Sequence, residues 1–420
     1  MRKALTIGWL CVSFLSQGQK SCEKNLEVAR AYEEVGQHAL AVDYYRRSFS
    51  RCKEDERLFD ISRNLLALHE FNELEAILKR YIEKPGALAD GYKLLAESLR
   101  YSGKYEEAIG NYKNYFGQVG KQIPLDDVFI ASCDSALKWS KEAAQVTIIP
   151  LPQLNSFYRE ACPSYYGDGI VFSSTREGVF IKKRDEQLSE PYFNLFYAEK
   201  KGNGKWKDPV PFSAELNSTD HDVGVEFSDD NQTIYLTRSI HKDYNKSDAA
   251  NTNHLKLYRA EKTSFGWSRP EYFVLNDSSF SFGHPTLAHN GEFFLFASDM
   301  PGGFGGVDLY VTFKSGDGWS KPKNLGGEVN TSGDEMYPYL LDDGKLFFSS
   351  NGHIGMGGFD IYSAVLSGGG WGGVANLRSP INSSYDDFSF ILEENKKSGY
   401  LTSNRKGGKG KEDIYQVIFH

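Results

Sequence analysis

Short stretches in which apolar and polar residues alternate follow one another from about residue 146 to the end of the chain. Alternation with a period of two predicts β-strands with one buried face. Asp168-Gly169, Asn290-Gly291 and Asp343-Gly344 separate neighbouring stretches and suit tight hairpins, which need residues that tolerate a positive φ. The predicted second strands of these hairpins are Ile170–Ser174, Ile234–Thr237, Phe293–Ala297, Leu346–Ser350 and Tyr400–Ser403, and the first strands begin near Pro163, Val225, Pro285, Pro338 and Phe388.

One motif recurs in this region at intervals of 52 to 62 residues. In the last three copies it joins a glycine-rich stretch to an Asp-x-Tyr sequence, whereas two weaker upstream copies retain an aromatic residue, Phe196 or Tyr258. A tryptophan follows in every copy except the last. Short strands that repeat with such a period predict the blades of a β-propeller. Five blades are expected, with six as the alternative. The motif residues of the last three copies are Asp308, Tyr310, Trp319, Asp360, Tyr362, Trp371, Asp413 and Tyr415.

A β-branched segment precedes the first of these strands. Val146–Leu151 is followed by Leu154-Asn155-Ser156, which matches the linkers Val329-Asn330-Thr331 and Ile381-Asn382-Ser383 between later blades. The last copy of the motif ends at Ile414–Phe419 with no tryptophan-containing strand after it. We therefore predict that Val146–Leu151 supplies the outer strand of the last blade, because closure removes exposed sheet edges.

Residues 19–145 follow a helical period instead. The buried-type positions Ala41, Leu74 and Ala108 are 33 and 34 residues apart, which is the period of tetratricopeptide repeats. Small side chains at Ala41 and Ala108 would let paired helices approach closely. The sequence therefore predicts a tetratricopeptide-like α-solenoid in this region.

Helix ends and the domain boundary follow from the same pattern. Gly36 and Gly103 are placed to end the first helix of a pair, because glycine accepts the left-handed conformation found at helix C-caps. A final helix over residues 125–144 is expected to cap the last repeat. The predicted fold is a multidomain α plus all-β protein, with helical repeats over residues 19–145 and a β-propeller over residues 146–420.

The first 18 residues have the composition of a signal peptide. Arg2-Lys3 supplies a positive start, Ala4–Leu15 supplies an apolar run too short to span a bilayer, and Ser16-Gln17-Gly18 supplies small residues for cleavage. No later stretch is long and apolar enough for a transmembrane helix. An exported protein of the periplasm or outer membrane is therefore expected, with the cell surface as a further option.

Four cysteines follow the predicted signal peptide: Cys22, Cys52, Cys133 and Cys162. Export permits disulfides, and four cysteines allow three pairings. The start of the first helix in a hairpin lies beside the end of the second, where Cys22 and Cys52 are placed. We predict the disulfide Cys22–Cys52, which leaves Cys133–Cys162 as the second pair. Lipidation of Cys22 is the alternative for that residue.

Composition and motifs narrow the function. The formal net charge of −8 disfavours nucleic-acid binding, which needs a basic surface. The sequence contains no nucleophile elbow, P-loop, zinc-binding helix or paired-cysteine metal site. No catalytic residue, cofactor-binding residue or metal ligand is therefore assigned, and the protein is predicted not to be an enzyme.

Recurrent aspartates have two explanations. Asp308, Asp360 and Asp413 could bind calcium together with glycine carbonyls. Their recurrence at one position of each blade favours the second explanation, in which each carboxylate caps backbone N–H groups of the preceding glycine loop. His221, flanked by two aspartates, is the densest titratable cluster around a histidine, and turn chemistry is favoured there over metal binding.

Tryptophans and insertions bear on the choice of surface. The tryptophans recur at one position of each blade, which favours packing between blades over a ring of side chains that stacks on sugars or peptides. Glu177–Pro191 and His241–Asn253 enlarge the first two blades only, which is typical either of a working face or of tolerated surface loops. The four tryptophans in register are Trp206, Trp267, Trp319 and Trp371.

The repeats resemble a known family. The strings Gly302–Tyr310 (GGFGGVDLY) and Gly318–Gly326 (GWSKPKNLG) resemble the TolB/WD-like propeller repeats of Bacteroidota envelope proteins. With the helical repeats before them, they make the chain similar to PorE-type, OmpA-family proteins associated with type IX secretion. Members of that family typically continue into a carboxypeptidase-regulatory-like domain and an OmpA-type peptidoglycan-binding domain. This sequence stops at His420, so peptidoglycan attachment is not carried over, although another subunit could supply it.

The resemblance implies an exported scaffold with two interaction surfaces. We expect a non-enzymatic component or accessory of type IX secretion or outer-membrane assembly, which binds protein partners through the helical groove and a propeller face. Membrane association would be indirect, through those partners. The alternative is a propeller that binds glycans or peptides, such as cell-wall fragments, at its axis. A hydrolase is the third option.

Overall fold

The computed structural model describes residues 21–34, 36–52, 58–120, 124–142, 145–177, 190–202, 204–240, 254–316, 318–393 and 395–420. The chain forms two compact units, one holding the residues up to Asp126 and the other beginning at Asp127 and holding every strand described below. The predicted signal peptide and almost all of the two blade insertions lie outside the described residues. Among the helices that the structure describes, none is long and apolar enough to cross a membrane.

Helices form the first unit, and the consecutive helices between His38 and Val119 pack on one another. Gly36 and Gly103 have φ values of 72° and 71°, as predicted for glycines that end helices. Ala41, Leu74 and Ala108 are fully buried, so the predicted small and apolar positions do form the contacts between helices. The helices of the first unit are α1 over residues 21–34, α2 His38–Cys52, α3 Leu58–Ala67, α4 Phe71–Ile82, α5 Ala89–Tyr101 and α6 Tyr105–Val119. Helix α7, Pro124–Trp139, belongs from Asp127 on to the second unit.

Five antiparallel sheets form the second unit, and each is one blade. Blade 1 contains β2 Glu160–Tyr166, β3 Gly169–Ser174, β4 Asn194–Glu199 and β5 Val210–Pro211. Blade 2 contains β6 Asp222–Phe227, β7 Thr233–Ile240, β8 His254–Thr263, β9 Gly266–Trp267 and β10 Glu271–Tyr272. Blade 3 contains β11 Phe282–Leu287, β12 Phe293–Ser298, β13 Asp308–Ser315, β14 Gly318–Trp319 and β15 Lys323–Asn324. Blade 4 contains β16 Glu335–Leu340, β17 Leu346–Ser350, β18 Asp360–Ser367 and β19 Gly370–Asn376. Blade 5 contains β20 Asp387–Leu392, β21 Ser398–Ser403 and β22 Asp413–Phe419, with β1 Val146–Pro150 at its outer edge.

The first strands of the blades surround one axis. Strand β2 contacts β6, β6 contacts β11, β11 contacts β16, β16 contacts β20, and β20 contacts β2 again, so the ring is closed. In blade 5, Val146 of β1 pairs with Phe419 of β22, and Pro150 pairs with Tyr415. The predicted five-bladed propeller and its closure by the segment that precedes blade 1 are both confirmed.

The second half of α7 packs on the fourth blade. The backbone N–H of Gly355, in the loop between β17 and β18, donates a hydrogen bond to Ser132 Oγ at 3.1 Å. The Arg378 guanidinium lies 5.4 Å from the ring centroid of Trp139 and pairs with Glu142 at 2.8 Å. The helix that the sequence placed as a cap on the helical repeats therefore has contacts with the propeller.

An asparagine after the outer strand of each blade ties that blade to the next linker. Its side-chain amide accepts a hydrogen bond from the backbone N–H of one residue in the third strand and donates to the C=O of the same residue. Both hydrogen bonds occur in all five blades. The pairs are Asn155 with Ile414, Asn217 with Leu195, Asn276 with Leu257, Asn330 with Leu309 and Asn382 with Ile361.

Replacing Asn155 with alanine is expected to destabilise the propeller by about 1–3 kcal/mol, because two buried backbone groups of Ile414 lose their partners. Both hydrogen bonds are 2.9 Å long, and they join the linker that follows β1 to β22 of blade 5. Urea unfolding, followed by tryptophan fluorescence, measures the change. Asn290→Ala, in an exposed turn, is the control and should shift stability by less than about 0.5 kcal/mol. Equal effects of the two substitutions would contradict this role of Asn155.

The two predicted disulfides have different outcomes. Cys22 is buried and disulfide-bonded, but the side chain of Cys52 lies outside the described residues, so their pairing stays a prediction. Cys133 and Cys162 are both buried and both reduced, so the predicted Cys133–Cys162 disulfide is wrong. Cys133 lies in α7, beside the residue that contacts the loop of blade 4, whereas Cys162 lies in β2 at the propeller axis. Proximity to the domain boundary in sequence does not bring the two thiols together.

Candidate functional site at the propeller axis

Each inner strand is interrupted by one residue in the left-handed conformation. The strand register shifts at this point in all five blades, so each inner strand contains a β-bulge. The bulge residues have φ values between 52° and 68°. Only one of them is glycine, and L-residues adopt this conformation at a cost of about 1–2 kcal/mol each. The bulge residues are Cys162, Gly224, His284, Tyr337 and Ser389.

Hydroxyl groups hold three of the bulges. Each hydroxyl lies in the second strand of the preceding blade, so the bulges are fixed by contacts between blades. Backbone N–H groups of the bulge residues are the donors. The pairs are Cys162 N with Thr402 Oγ1 at 3.1 Å, Gly224 N with Ser173 Oγ at 3.2 Å and His284 N with Thr237 Oγ1 at 2.9 Å.

A cavity of about 40 Å³ lies between the bulges and is lined by them and by the residues that follow each one. A cavity of this volume accommodates about three water molecules. A whole sugar ring is larger than this cavity, so a glycan bound at the axis would place no more than a small substituent inside it. The titratable side chains in its wall are those of Cys162, Glu226, His284, Tyr337 and Tyr339.

His284 is the most unusual residue of the cavity wall. Its side chain is 7% exposed, and its Nδ1 atom has no hydrogen-bond partner among the described residues. The imidazole ring lies against Tyr337, with the ring centroids 4.0 Å apart. Burial lowers the pKa of His284 to about 4, because charging the ring inside the propeller is unfavourable. The imidazole is therefore neutral at physiological pH.

Burial acts in the opposite direction on the acidic groups. It raises the pKa of Glu226 to about 8, although hydrogen bonds from Leu287 N and Thr286 Oγ1 oppose this shift. It also raises the pKa of the Cys162 thiol to about 12, and the hydroxyl of Ser389 hydrogen-bonds the sulfur. At neutral pH the cavity wall is therefore almost without charge.

Glu226 should make stability fall as the pH rises from about 6.5 to about 8. The folded chain retains a proton on Glu226 in this window, whereas the unfolded chain has lost it, so the unfolded state gains relative stability with pH. His284 contributes the opposite slope, but only below pH 6.5. We expect a decrease of about 1 kcal/mol per pH unit. Urea unfolding at several pH values measures this slope, and Glu226→Gln should remove it. An unchanged slope in that variant would contradict the protonated state of Glu226.

The recurrent aspartates cap their glycine loops, as predicted. Asp308 accepts hydrogen bonds from the backbone N–H groups of Phe304 at 2.6 Å and Gly305 at 3.1 Å, and Asp360 and Asp413 accept equivalent bonds. A Cβ on Gly303 would lie 2.0 Å from Asp308 Oδ2, which explains the need for glycine. The aromatic anchors complete the motif: Tyr310 OH donates to Met300 O at 3.3 Å and Tyr362 OH to Ile354 O at 3.0 Å, while Tyr415 is buried.

The tryptophans in register pack between blades, as predicted. Each indole lies against an aromatic ring from the preceding blade or its linker. The spacing of these rings is typical of aromatic pairs in protein cores. The pairs, with their centroid distances, are Trp206 with Tyr400 at 5.8 Å, Trp267 with Tyr166 at 6.2 Å, Trp319 with Phe273 at 6.2 Å and Trp371 with Phe293 at 5.9 Å.

Buried carboxylates at the first position of the inner strands were missed by the sequence analysis. Three of them form ion pairs with an arginine that lies within two residues of the end of the second strand of the same blade: Arg176–Glu160 at 3.0 Å, Arg238–Asp222 at 2.6 Å and Arg405–Asp387. The sequence signal for them is a Ser or Thr four residues before each carboxylate, as with Ser156 and Glu160. The backbone N–H of Ser156 donates a hydrogen bond to Glu160 Oε2 at 2.7 Å.

The cluster around His221 has a structural role. Asp222 is one of the buried carboxylates, and burial raises its pKa to about 6 while Arg238 opposes the shift. His221 Nδ1 accepts a hydrogen bond from the backbone N–H of Phe193 at 3.2 Å. In the described part of the chain, no group of three His, Cys, Asp or Glu side chains is placed to hold a metal ion. These contacts favour the interpretation of the cluster as turn chemistry.

The fold and the cavity define a five-bladed β-propeller protein with a helical unit before the blades. No family model matches the sequence, and no curated protein matches it. Solved structures with a similar fold include a puromycin-hydrolyzing peptidase of Mycobacterium tuberculosis (12% identity, TM-score 0.34, 61% of this chain and 45% of the peptidase covered). A glycoside hydrolase (8% identity, TM-score 0.43, 63% and 88% covered) and a GH43_12 protein retrieved from a capybara gut metagenome (14% identity, TM-score 0.41, 67% and 56% covered) are also similar. The chain thus spans about half of the peptidase's length, and these similarities concern the fold alone.

Proposed function

We propose that this protein is a non-enzymatic scaffold that holds protein partners on two separate surfaces, one on the helical unit and one on the propeller. The observation that carries the proposal is the use of the recurrent polar residues. Their carboxylates are bound by backbone N–H groups and arginines, and their amides bridge backbone groups. The repeats therefore build a rigid platform. The cavity between the five bulges holds only a few small atoms.

The linker face of the propeller is the surface that we propose for one partner. We define it by the linkers between blades and by the loops between second and third strands, which lie together: a Cβ on Gly305 would lie 2.1 Å from Gly333 O. The loop of blade 4 already contacts α7, so the surface that we propose for a partner is that of the other blades. Phe157 and Phe304 on this face are 91% and 54% exposed. Exposed aromatic side chains beside polar loops are typical of protein interaction sites.

Partners in the bacterial envelope follow from the resemblance of the repeats. We propose outer-membrane or secretion-machinery proteins, of the type IX system in particular, with tetratricopeptide-like repeats holding one of them. A periplasmic or outer-membrane location and the predicted signal peptide belong to this proposal. Calcium has no assigned role in it.

The test is affinity purification of the tagged protein from its native envelope, with chemical cross-linking and mass spectrometry. We expect outer-membrane secretion components, with cross-links on both units. Phe157→Ser combined with Phe304→Ser should remove the partner of the linker face and leave the other partner bound. Phe265→Ser is the matched control, because Phe265 is 99% exposed in a hairpin between the third and fourth strands, at the other face. The proposal would be overturned if the protein were recovered without partners, or if Phe265→Ser lost a partner and the double variant did not.

A glycan- or peptide-binding propeller is the second candidate. The exposed aromatic residues of the linker face also suit it, because sugar rings and peptides stack on such side chains. Thermal unfolding with a panel of cell-wall fragments distinguishes the two, since a ligand that binds the folded state raises Tm. A rise of Tm that Phe157→Ser abolishes would favour the ligand-binding propeller over the scaffold.

A further inference from the structure

The axial cavity contains two side-chain atoms of the kind that bind soft metal ions. Cys162 Sγ lies 4.0 Å, and His284 Nδ1 lies 3.7 Å, from the position that a Cβ would occupy on Gly224. All three residues line the cavity. His284 is more than nine-tenths buried, and its Nδ1 has no hydrogen-bond partner among the described residues. A buried polar atom without a partner in the protein is explained by a water molecule or an ion at that place.

We propose that the axial cavity binds one copper ion in its monovalent state, Cu(I), between Cys162 Sγ and His284 Nδ1. Cysteine sulfur selects Cu(I), and imidazole nitrogen also suits copper. Cu(I) is satisfied by two ligands in a line. Zinc in structural sites takes four ligands, and the described residues offer no third His, Cys, Asp or Glu to complete such a set.

Charge and protonation are consistent with a monovalent ion. On binding, the Cys162 thiol releases its proton to solvent, and the sulfur donates an electron pair to Cu(I), as the neutral His284 imidazole does. The thiolate and the Cu(I) ion then cancel in charge, so no net charge is buried. Copper stays in the same oxidation state throughout, and no oxidant or reductant is consumed.

Nucleophilic catalysis by the same pair is disfavoured. A catalytic cysteine needs a lowered thiol pKa, whereas burial raises the pKa of Cys162. Metal binding does not meet this obstacle, because a coordinating thiol is deprotonated outright by the cation. The cavity volume also suits an ion better than an acyl substrate.

Gly224 offers a way to block the site without removing a ligand. Its φ is 68°, and the four equivalent residues in the other blades have side chains at φ values of 52° to 54°, so we expect the bulge to accept alanine at a small cost in stability. The added methyl group would be at ordinary contact distance from both ligand atoms. It would take up space in the part of the cavity that both ligand atoms border, so we expect it to hinder binding of the ion.

The test is competition for Cu(I) between the full-length protein and a chromogenic Cu(I) chelator, with ascorbate present and without thiol reductants, so that the disulfide of Cys22 stays intact. We expect one equivalent of Cu(I) per chain, with at least tenfold weaker binding in Cys162→Ser, His284→Asn and Gly224→Ala. X-ray absorption should show one sulfur and one nitrogen ligand. Cys133→Ser is the matched control, because Cys133 is also a buried, reduced cysteine among the described residues, and this variant should bind Cu(I) as the wild type does.

Several results would overturn the proposal. They are the absence of Cu(I) binding, binding that persists in Cys162→Ser, binding that is lost in Cys133→Ser, and Zn²⁺ binding at the same residues as tight as that of Cu(I). Circular dichroism of each metal-free variant shows whether it is folded. If Cys162→Ser or His284→Asn does not fold, the Cu(I) affinity of Gly224→Ala tests the proposal, because this variant retains both ligands.

Discussion

Replacing Arg405 with alanine is expected to destabilise the propeller by about 3–5 kcal/mol, because it leaves a buried carboxylate without its partner. Asp387 is fully buried and the Arg405 side chain is 14% exposed. The guanidinium also donates to Pro380 O at 2.9 Å and Ile381 O at 2.6 Å, so the substitution removes one interaction with β20 and two with the linker before blade 5. Urea unfolding of the full chain measures the change.

Two further variants decide whether the effect comes from the buried charge. Lys207→Ala removes an ion pair with Glu199 whose side chains are 50% and 40% exposed, and it should cost less than about 1 kcal/mol. Arg405→Leu combined with Asp387→Asn removes both charges and should recover part of the stability. A double variant as unstable as Arg405→Ala would show that the loss comes from packing instead.

Replacing Trp206 with alanine is the second large effect, with an expected loss of about 3–5 kcal/mol. Trp206 is 7% exposed and packs on Tyr400, across the contact between blades 1 and 5. Ile170, Ile391 and Ile414 belong to the same buried cluster, so the substitution opens a cavity where the ring of blades closes.

Trp206→Phe should recover more than half of that loss, because it retains an aromatic ring in the same place. Phe265→Ala, at an almost fully exposed position, is the control and should change stability by less than about 0.5 kcal/mol. Differential scanning calorimetry and urea unfolding provide the two measurements. If Trp206→Ala is as mild as the control, the contact between blades 1 and 5 does not depend on this side chain.

The repeats made most of the fold predictable. The match of Leu154-Asn155-Ser156 to the later linkers predicted the closure of blade 5, and the structure adds the reason: Asn155 bonds Ile414 as its four counterparts bond their own blades. The starts of the inner strands were placed about three residues too late in four blades, near Pro163, Pro285 and Pro338 among others. Proline follows the bulge residue, where the missing N–H is tolerated, so it marks the middle of the strand.

The candidate site was not predictable in the same way. Cys162, Gly224 and His284 occupy one equivalent position but are different residue types, so no repeat pattern connects them. Their meeting at the axis depends on the closure of five blades, which a sequence pattern does not measure. The buried ion pairs were not predicted for a related reason. Asp387 and Arg405 are separated by one hairpin in the sequence, and each looks like an ordinary turn residue. The Cys133–Cys162 pair was wrong because it was only what remained after Cys22 and Cys52 had been paired, and this says nothing about the distance between the two thiols.

The closing strand has a consequence for the order in which the molecule is assembled. Val146 of β1 pairs with Phe419 of β22. During synthesis β1 is therefore made first among the strands of the propeller but cannot pair until β22 has been made. Contacts of such long sequence separation slow folding. Until they form, β1 and blade 5 both present unpaired edges, which are sites of intermolecular association. Chaperones that keep the nascent chain apart from its neighbours should therefore matter most for this strand, and a circular permutant that begins at blade 1 and carries β1 after β22 should fold faster.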